Sequence, residues 1–330
     1  MFTRFLDEGP PGRGRSRDIR SSTQSSMKRL FVPSSLYNGN MRIVRPPLIA
    51  GFVKLGVMAL AILLAVSSPP TAADTSTAHV VKGDALMAKN DLDGAIGEYR
   101  RALRMNPRNA QAHYQIGFVM KTKGDLDGAI AEYREAIRLD PKLAEAHVNI
   151  ATALQGKGDL DGAIAEYRQA IRLKPDLALA HANLGSALRV KHDLDGSIAE
   201  LKEALRINPD LAEAHRDLGF DLGLKRDMDG AIVELREAVR LNPDLVEAHS
   251  GLGDALRFKH DLDGAMVEYR EAIRINPKYA LGHFNLAGVL EEKGKRQEAA
   301  LEFAEAARLD PNLNLRRAGS RNRRPPLPTH

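Results

Sequence analysis

The sequence predicts an all-α protein built as a solenoid of repeated helix–turn–helix units. Prolines recur every 34 residues over most of the chain, at positions 107, 141, 175, 209, 243, 277 and 311. The segments between these prolines are close copies of one another. The composition has 5% aromatic residues, no Trp and no Cys, so it lacks the large side chains of an ordinary globular core. A fixed period of this length is the signature of a repeat architecture.

Each repeat unit is predicted to contain two helices. With Pro at position 32, seven contiguous units cover residues 76–109, 110–143, 144–177, 178–211, 212–245, 246–279 and 280–313. In the third unit the first helix ends near Gly158, and Asp159 and Asp161 offer side-chain oxygens to cap the second. Pro175 ends that second helix because it cannot continue the helical hydrogen bonding.

Particular positions of the unit carry a resemblance to a known family. Position 8 is Gly or Ala, position 20 is Ala or Ser, position 27 is Ala, and position 24 is aromatic or Leu. The position-24 residues are Tyr99, Tyr133, Tyr167, Leu201, Leu235, Tyr269 and Phe303. This pattern resembles the tetratricopeptide repeat (TPR), although the family's usual Trp at position 4 is His in all seven units. The resemblance implies a right-handed superhelical solenoid whose concave face, formed by the first helices, binds peptides.

The net charge of +5 is unevenly distributed. Residues 1–73 hold ten Lys or Arg and three acidic residues, and residues 314–330 hold five Arg and no acidic residue. The repeats between these ends therefore carry more acidic than basic residues. A nucleic-acid partner is not expected on the basis of the basic isoelectric point alone.

The N-terminal segment has a targeting pattern. Residues 1–40 are predicted to be disordered or to precede the true start. Within residues 41–73, Arg42, Arg45 and Lys54 precede an uncharged apolar run at 55–66 and then small residues. This order is typical of a secretory signal, and the alternative is an uncleaved membrane anchor over 48–66. Both alternatives predict export. A cleaved signal predicts a periplasmic or secreted protein, and an uncleaved anchor predicts an inner-membrane protein that faces the periplasm. A cytoplasmic protein with a fortuitous apolar stretch is the remaining alternative.

Two repeated features suggest metals, but both fit structural roles better. Seven His recur at position 4, too far apart in stacked helix pairs to converge on one zinc ion. The Asp-x-Asp-Gly turns lack the spacing and the bidentate Glu of a calcium loop, so helix capping is expected. The sequence contains no nucleotide-binding or hydrolase motif. We therefore expect no metal, no cofactor and no enzymatic activity, and a disordered Pro-rich tail at 314–330.

Amide side chains recur at position 6 of the first helices. Asn149, Asn183 and Asn285, with Gln115, form a partial ladder similar to that in the repeats of protein O-linked N-acetylglucosamine transferases. An amide can both donate to and accept from a peptide bond. The alternative is that these are ordinary exposed polar positions.

The fourth to sixth units combine cationic and apolar residues at expected groove positions. These residues are Arg189, Arg216, Arg257, Phe220 and Phe258. Apolar residues beside Arg are typical of an interface centre, so an acidic amphipathic segment of a partner is predicted to bind here. The alternative is that Leu224 and Phe258, both at position 13, pack beneath the second helix of their own unit.

The predicted function is a non-catalytic scaffold in the bacterial cell envelope that binds a protein or peptide segment in its concave groove. The alternative is an accessory TPR subunit of an envelope enzyme complex, such as a glycosyltransferase or secretion machine. Binding of a C-terminal carboxylate is not expected, because no unit has the Lys or Arg at position 5 and Asn at positions 6 and 9 that the chaperone-binding members use. Membrane contact is expected only through residues 48–66, if they are uncleaved.

Overall fold

The computed structural model describes residues 72–313, with side chains from residue 75 onward. This range contains fourteen α-helices and no β-strand. The helices are α1 (Ala72–Ala88), α2 (Leu92–Met105), α3 (Ala110–Thr122), α4 (Leu126–Leu139), α5 (Ala144–Gly156), α6 (Leu160–Leu173), α7 (Ala178–Val190), α8 (Leu194–Ile207), α9 (Ala212–Leu224), α10 (Met228–Leu241), α11 (Val246–Phe258), α12 (Leu262–Ile275), α13 (Ala280–Glu292) and α14 (Arg296–Leu309). The predicted all-α solenoid of helix–turn–helix repeats is confirmed.

The predictions for the two termini concern residues that lie largely outside the described range 72–313. Residues 1–40, the apolar run at 48–66 and the tail at 314–330 are not among the described residues. Only Ala72 and Ala73 of the predicted targeting segment are described, and they lie at the start of α1. Within residues 72–313, none of the helices has the length and apolar character needed to cross a bilayer.

The helices form two layers. Odd-numbered helices are the first of each unit and even-numbered helices are the second, and each helix packs on the next one along the chain. The first helices also contact the first helices of neighbouring units from α3 through to α13. First helices therefore form the inner layer and second helices the outer layer, which places the positions proposed for the groove on the inner face.

Small residues let the two helices of a unit approach closely around one large side chain. Tyr99 and Tyr269, at position 24, are fully buried. A Cβ added to Gly83 would lie 2.3 Å from Tyr99, and one added to Gly253 would lie 2.6 Å from Tyr269. Such approaches are too close for real Cβ atoms, so the tyrosine occupies the space that a larger residue at position 8 would need.

A left-handed residue at position 15 ends each first helix. In the second unit Gly124 has a φ of 86°. Its N–H donates to the Lys121 carbonyl at 3.0 Å, and the Asp125 N–H donates to the Met120 carbonyl at 2.9 Å. This pair of bonds is a Schellman motif, which favours Gly because it has no Cβ. Four units hold a larger residue at this position, namely Asn90, His192, Arg226 and His260.

The two aspartates of each turn have different roles. Asp159 Oδ1 accepts a hydrogen bond from the Gly162 N–H at 2.9 Å, which caps α6. Asp161 does not cap; its carboxylate lies 3.0 Å from Lys191 Nζ of the next unit. The expectation that both aspartates cap the helix is therefore corrected, because Asp161 lies inside the helix and within reach of the following unit. Equivalent ion pairs join Asp93 to Lys123, Asp127 to Lys157, Asp195 to Lys225, Asp229 to Lys259 and Asp263 to Lys293.

The first and last units differ from the five between them. Lys82 replaces the buried Ile or Leu of position 7, and its Nζ lies 2.9 Å from Glu98 Oε1. Hydrogen bonds from Lys82 and His79 lower the pKa of Glu98 to about 2. In the last unit Ala300 and Ala307 replace the larger apolar residues of positions 21 and 28. Those positions pack on a following unit elsewhere, so the last repeat has less apolar surface to cover.

Candidate peptide-binding groove

The amides at position 6 lie on the inner face, and most are bonded to the preceding unit. Asn149 donates to the Tyr114 hydroxyl at 2.9 Å and accepts from Lys121 Nζ at 2.6 Å. Asn285 is buried and donates to Asp254 Oδ1 at 3.1 Å. Asn183 is half-buried and makes no side-chain hydrogen bond with the described residues. Of these three, Asn183 is therefore the amide whose hydrogen-bonding groups are available to a peptide.

The fourth and fifth units are joined by a charged cluster. Arg189 Nη2 lies 3.4 Å from Asp217 Oδ1, and its Nη1 lies 3.4 Å from Asp221 Oδ1. Arg216 also contacts Asp217, at 2.9 Å. Asp221 is completely buried and accepts a hydrogen bond from the Ser197 hydroxyl. Burial raises the pKa of Asp221, although Ser197 and Arg189 oppose this rise.

This cluster changes the interpretation of Arg189. Its side chain is only 17% exposed, so Arg189 is not a freely exposed cation of the predicted groove. The carboxylates it contacts sit at positions 6 and 10 of the next unit, where other units have amide or small apolar residues. Arg189 therefore balances buried negative charge, and its replacement is expected to affect folding as well as binding.

The sixth and seventh units form a second polar cluster. Asp254 accepts hydrogen bonds from the Tyr269 hydroxyl at 2.6 Å and from Asn285. Burial raises the pKa of Asp254 to about 6. Arg257 donates through Nε to Glu292 Oε1 at 3.0 Å, and its guanidinium lies over Gly288. The Arg257 side chain is 26% exposed, so it is more accessible to a ligand than Arg189.

The apolar residues of the predicted site have different environments. Phe258 is 55% exposed, which contradicts the alternative that it packs beneath α12. Leu224, at the same position of the preceding unit, is half-buried. Phe220 packs on Gly251, where an added Cβ would lie 2.3 Å from its ring. The structure thus places Phe258 at the surface beside Arg257, and Phe220 between two units.

The second unit contains an exposed aromatic residue that the sequence analysis did not select. Phe118 is 38% exposed on α3, and Lys121 Nζ lies 5.5 Å from its ring centroid. Phe118 occupies position 9, the same position as Phe220. The shared position was the available signal, but only the local packing distinguishes the exposed ring from the covered one.

The seven position-4 histidines bind carboxylates within their own units. His215 Nδ1 lies 2.6 Å from Glu234 Oε2, and its Nε2 lies 3.0 Å from the Pro209 carbonyl oxygen. The other pairs, at 2.5–2.7 Å, are His79–Glu98, His113–Glu132, His147–Glu166, His181–Glu200, His249–Glu268 and His283–Glu302. No group of three or more potential metal ligands occurs within the described part of the chain. Each position-4 histidine thus links the first helix of its unit to a glutamate of the second helix.

Comparisons with known proteins agree with this architecture. A family model described as TPR repeat matches residues 83–124, 121–158, 156–191 and 253–294. The chain is similar to the solved pilF protein of Pseudomonas aeruginosa, with 21% identity and a TM-score of 0.57 over 62% of this chain and 95% of that one. It is also similar to a TPR protein from Parabacteroides merdae, with 16% identity and a TM-score of 0.55 over 72% and 93% of the two chains.

A third similar structure is a chain of the Cut9–Hcn1 hetero-tetramer of the APC/C. The identity is 19% and the TM-score is 0.59, over 79% of this chain and 50% of that one. At these identities the three structures support the fold alone. Among curated proteins, none matches the chain.

Proposed function

Because this chain is a tetratricopeptide repeat protein of seven contiguous 34-residue repeats, we propose that it is a non-catalytic scaffold that binds a protein segment along its inner groove. The TPR fold is that of protein–protein interaction scaffolds. The observation that supports a groove site is Phe258, a large apolar side chain that is 55% exposed on a first helix beside the partly exposed Arg257. An aromatic anchor next to an arginine is a typical composition for the centre of an interface.

The proposed segment is acidic and amphipathic. Its apolar side chains would cover Phe258, and its carboxylates would replace Glu292 on the Arg257 guanidinium. The side chain of Asn183, which has no hydrogen bond to the described residues, would bond to the backbone of the segment. Phe118 and Lys121 provide a further aromatic and cationic contact in the second unit.

Site-specific crosslinking in the full chain tests this proposal. A photoreactive phenylalanine analogue at position 258 is expected to form one dominant adduct, which mass spectrometry would identify. The matched control carries the same analogue at Val233, which is 64% exposed but lies on the second helix α10. Equal adduct formation from both positions, or none from position 258, would contradict a groove site in the sixth unit.

Substitution then tests the energetic role of the same residue. Phe258→Ser is expected to weaken capture of the crosslinked partner by at least tenfold, because truncation of an interface anchor costs about 2 kcal/mol or more. Val233→Ser should leave capture unchanged. Reversal of Arg189 is unsuitable as a test of binding alone, since it would place a third carboxylate beside Asp217 and Asp221.

We also propose that the protein is exported. The support is the sequence pattern of Arg42, Arg45 and Lys54 before the apolar run at 55–66. A reporter fused to the C terminus should be active only outside the cytoplasm. A processed N terminus near Ala73 would favour a signal peptide over an anchor, and a reporter active only in the cytoplasm would exclude export.

A further inference from the structure

Six of the seven second helices carry an exposed cation at position 25 that has no ion-pair partner among the described residues. In the fifth unit Glu237 pairs with Arg240 at 2.6 Å, and Asp229 pairs with Lys259 of the next unit at 2.9 Å. Arg236, at position 25, is exposed and forms no ion pair or side-chain hydrogen bond with the described residues. Arg236 is therefore an exposed cation of this face that pairs with no acidic side chain among residues 75–313.

The same arrangement recurs in six consecutive units. The exposed cations at position 25 are Arg100, Arg134, Arg168, Lys202, Arg236 and Arg270. None of them has an ion-pair partner among residues 75–313. Although the repeats as a whole contain more acidic than basic residues, their second helices thus present a row of exposed cations without ion-pair partners among the described residues.

An apolar row runs beside these cations in the last three units. At position 22, Val233 is 64% exposed, Val267 is 61% exposed and Leu301 is 73% exposed. The first four units have Gly or Ala at this position. Positions 22 and 25 are three residues apart, so they lie on the same face of each helix. We call the surface formed by Val233, Val267, Leu301, Arg236 and Arg270 the outer ridge.

Charge and apolarity together narrow the possible occupants of the outer ridge. A second copy docked ridge to ridge would oppose arginine rows of like charge. A nucleic acid would match the arginines but leave three exposed aliphatic side chains uncovered. An anionic bilayer matches both, because phosphates bind the arginines while aliphatic side chains enter the headgroup–acyl boundary. The sequence that follows α14 adds five Arg and no acidic residue within residues 314–330, which an anionic surface also attracts.

We infer that the outer ridge docks the repeat array on an anionic lipid bilayer. The inner groove then remains accessible to its protein partner, since the two surfaces lie on different helix layers. This inference does not depend on the proposed groove site, because it uses only residues of the second helices.

Fluorescence at a single engineered cysteine tests the inference. The chain has no native cysteine, so Val267→Cys allows an environment-sensitive dye to be attached at one place in the full-length protein. The dye should become brighter and shift to the blue with vesicles of equal parts phosphatidylglycerol and phosphatidylcholine, but not with phosphatidylcholine alone. Adding Arg236→Glu and Arg270→Glu should reduce the apparent affinity at least about 30-fold, at about 1 kcal/mol for each arginine near the surface.

Two controls make the result specific to the outer ridge. A dye at Leu179→Cys, which is 62% exposed on the first helix α7, should not respond. Lys142→Glu with Lys278→Glu makes the same change in net charge at exposed loop lysines and should weaken binding far less. The inference is overturned if the dye at position 267 is silent while the chain floats with vesicles, since another segment would then be the anchor. It is equally overturned if duplex DNA, rather than vesicles, produces the response, or if the lysine control weakens binding as much as the arginine reversal.

Discussion

The stability of the array should fall as the pH rises through the range in which His215 and His249 lose a proton. His215 faces the Glu234 carboxylate on one side and the Pro209 carbonyl on the other. His249 faces Glu268 and the Pro243 carbonyl in the same way. Both partners accept hydrogen bonds, and a ring can satisfy both only when each nitrogen carries a proton. The charged imidazolium therefore fits this site better than the neutral ring.

The directions of the pKa shifts of His215 and His249 support a decrease in stability with rising pH. Burial alone lowers the pKa of His215, but its hydrogen bonds to Glu234 and Pro209, together with nearby Glu237, raise it above the ordinary value. The pKa of His249 is raised in the same way, with Glu271 as the additional carboxylate. Arg240 and Arg274 pair with those two glutamates and reduce their effect. A folded pKa above the unfolded value means that the stabilisation is full below about pH 6.5 and is lost as the pH rises through the folded pKa.

The size of the effect follows from the number of hydrogen bonds lost. Each neutral ring keeps one N–H and leaves one partly buried acceptor without a donor, which costs about 1 kcal/mol. The two histidines together should therefore account for about 2 kcal/mol of unfolding free energy between pH 6 and the alkaline side of the transition. Asp254, whose pKa is about 6, contributes in the same direction at the lower end of this range. The comparison of variants separates the two contributions.

Urea unfolding followed by circular dichroism from pH 6 to pH 9, at constant ionic strength, provides the measurement. The double variant His215→Gln with His249→Gln should lose about 2 kcal/mol less unfolding free energy than the wild type over this pH range, because Gln does not titrate. His192→Gln with His260→Gln is the matched control, since these turn histidines are exposed and should leave the slope unchanged. A wild-type stability that rises over this range, or an unchanged slope in the first variant, would refute the reasoning.

Two backbone predictions follow from the turns and helix packing. Replacement of His192, Arg226 or His260 by Gly should raise the unfolding free energy by about 0.5–1 kcal/mol each, because the relief of left-handed backbone strain exceeds the entropy cost of Gly. Urea titrations measure this change. No gain at any of the three sites would contradict the prediction. Gly97→Ala should stabilise the folded array by about 0.5–1 kcal/mol, since no atom lies within 4 Å of the added Cβ. Gly253→Ala should destabilise it by about 1–3 kcal/mol, because the added Cβ would meet the Tyr269 ring. Equal effects at both sites would contradict this prediction.

The fold could be predicted from the sequence because its signals repeat within each unit. The 34-residue spacing of proline places the unit boundaries, and the small residues of positions 8, 20 and 27 identify the closely packed faces. Local chemistry also predicts the cap at Asp159, which needs only the backbone three residues away. These features depend on short separations that periodicity reveals directly.

The details of the candidate site could not be predicted in the same way, because they depend on pairs of residues in different units. Asn149 contacts Tyr114, 35 residues earlier, and Arg189 contacts Asp221, 32 residues later. A residue that looks like a free groove cation in its own unit is thus neutralised by the next one. The Lys–Asp pairs across units recur at a separation of 30 residues, so a search for complementary charges at that spacing would have found them.

The Lys–Asp connection between units has a consequence for how the array can change in length. Every internal unit contributes a lysine to the unit before it and an aspartate to the unit after it, so a duplicated or deleted unit would restore the same connection at the new junction. The boundary between the fourth and fifth units is different. Ser197 and Arg189 on one side are matched to the buried Asp221 on the other, and a substitute neighbour would leave that carboxylate without its partners. Gain or loss of a repeat at this boundary should therefore destabilise the array more than the same change at a boundary that has no buried carboxylate.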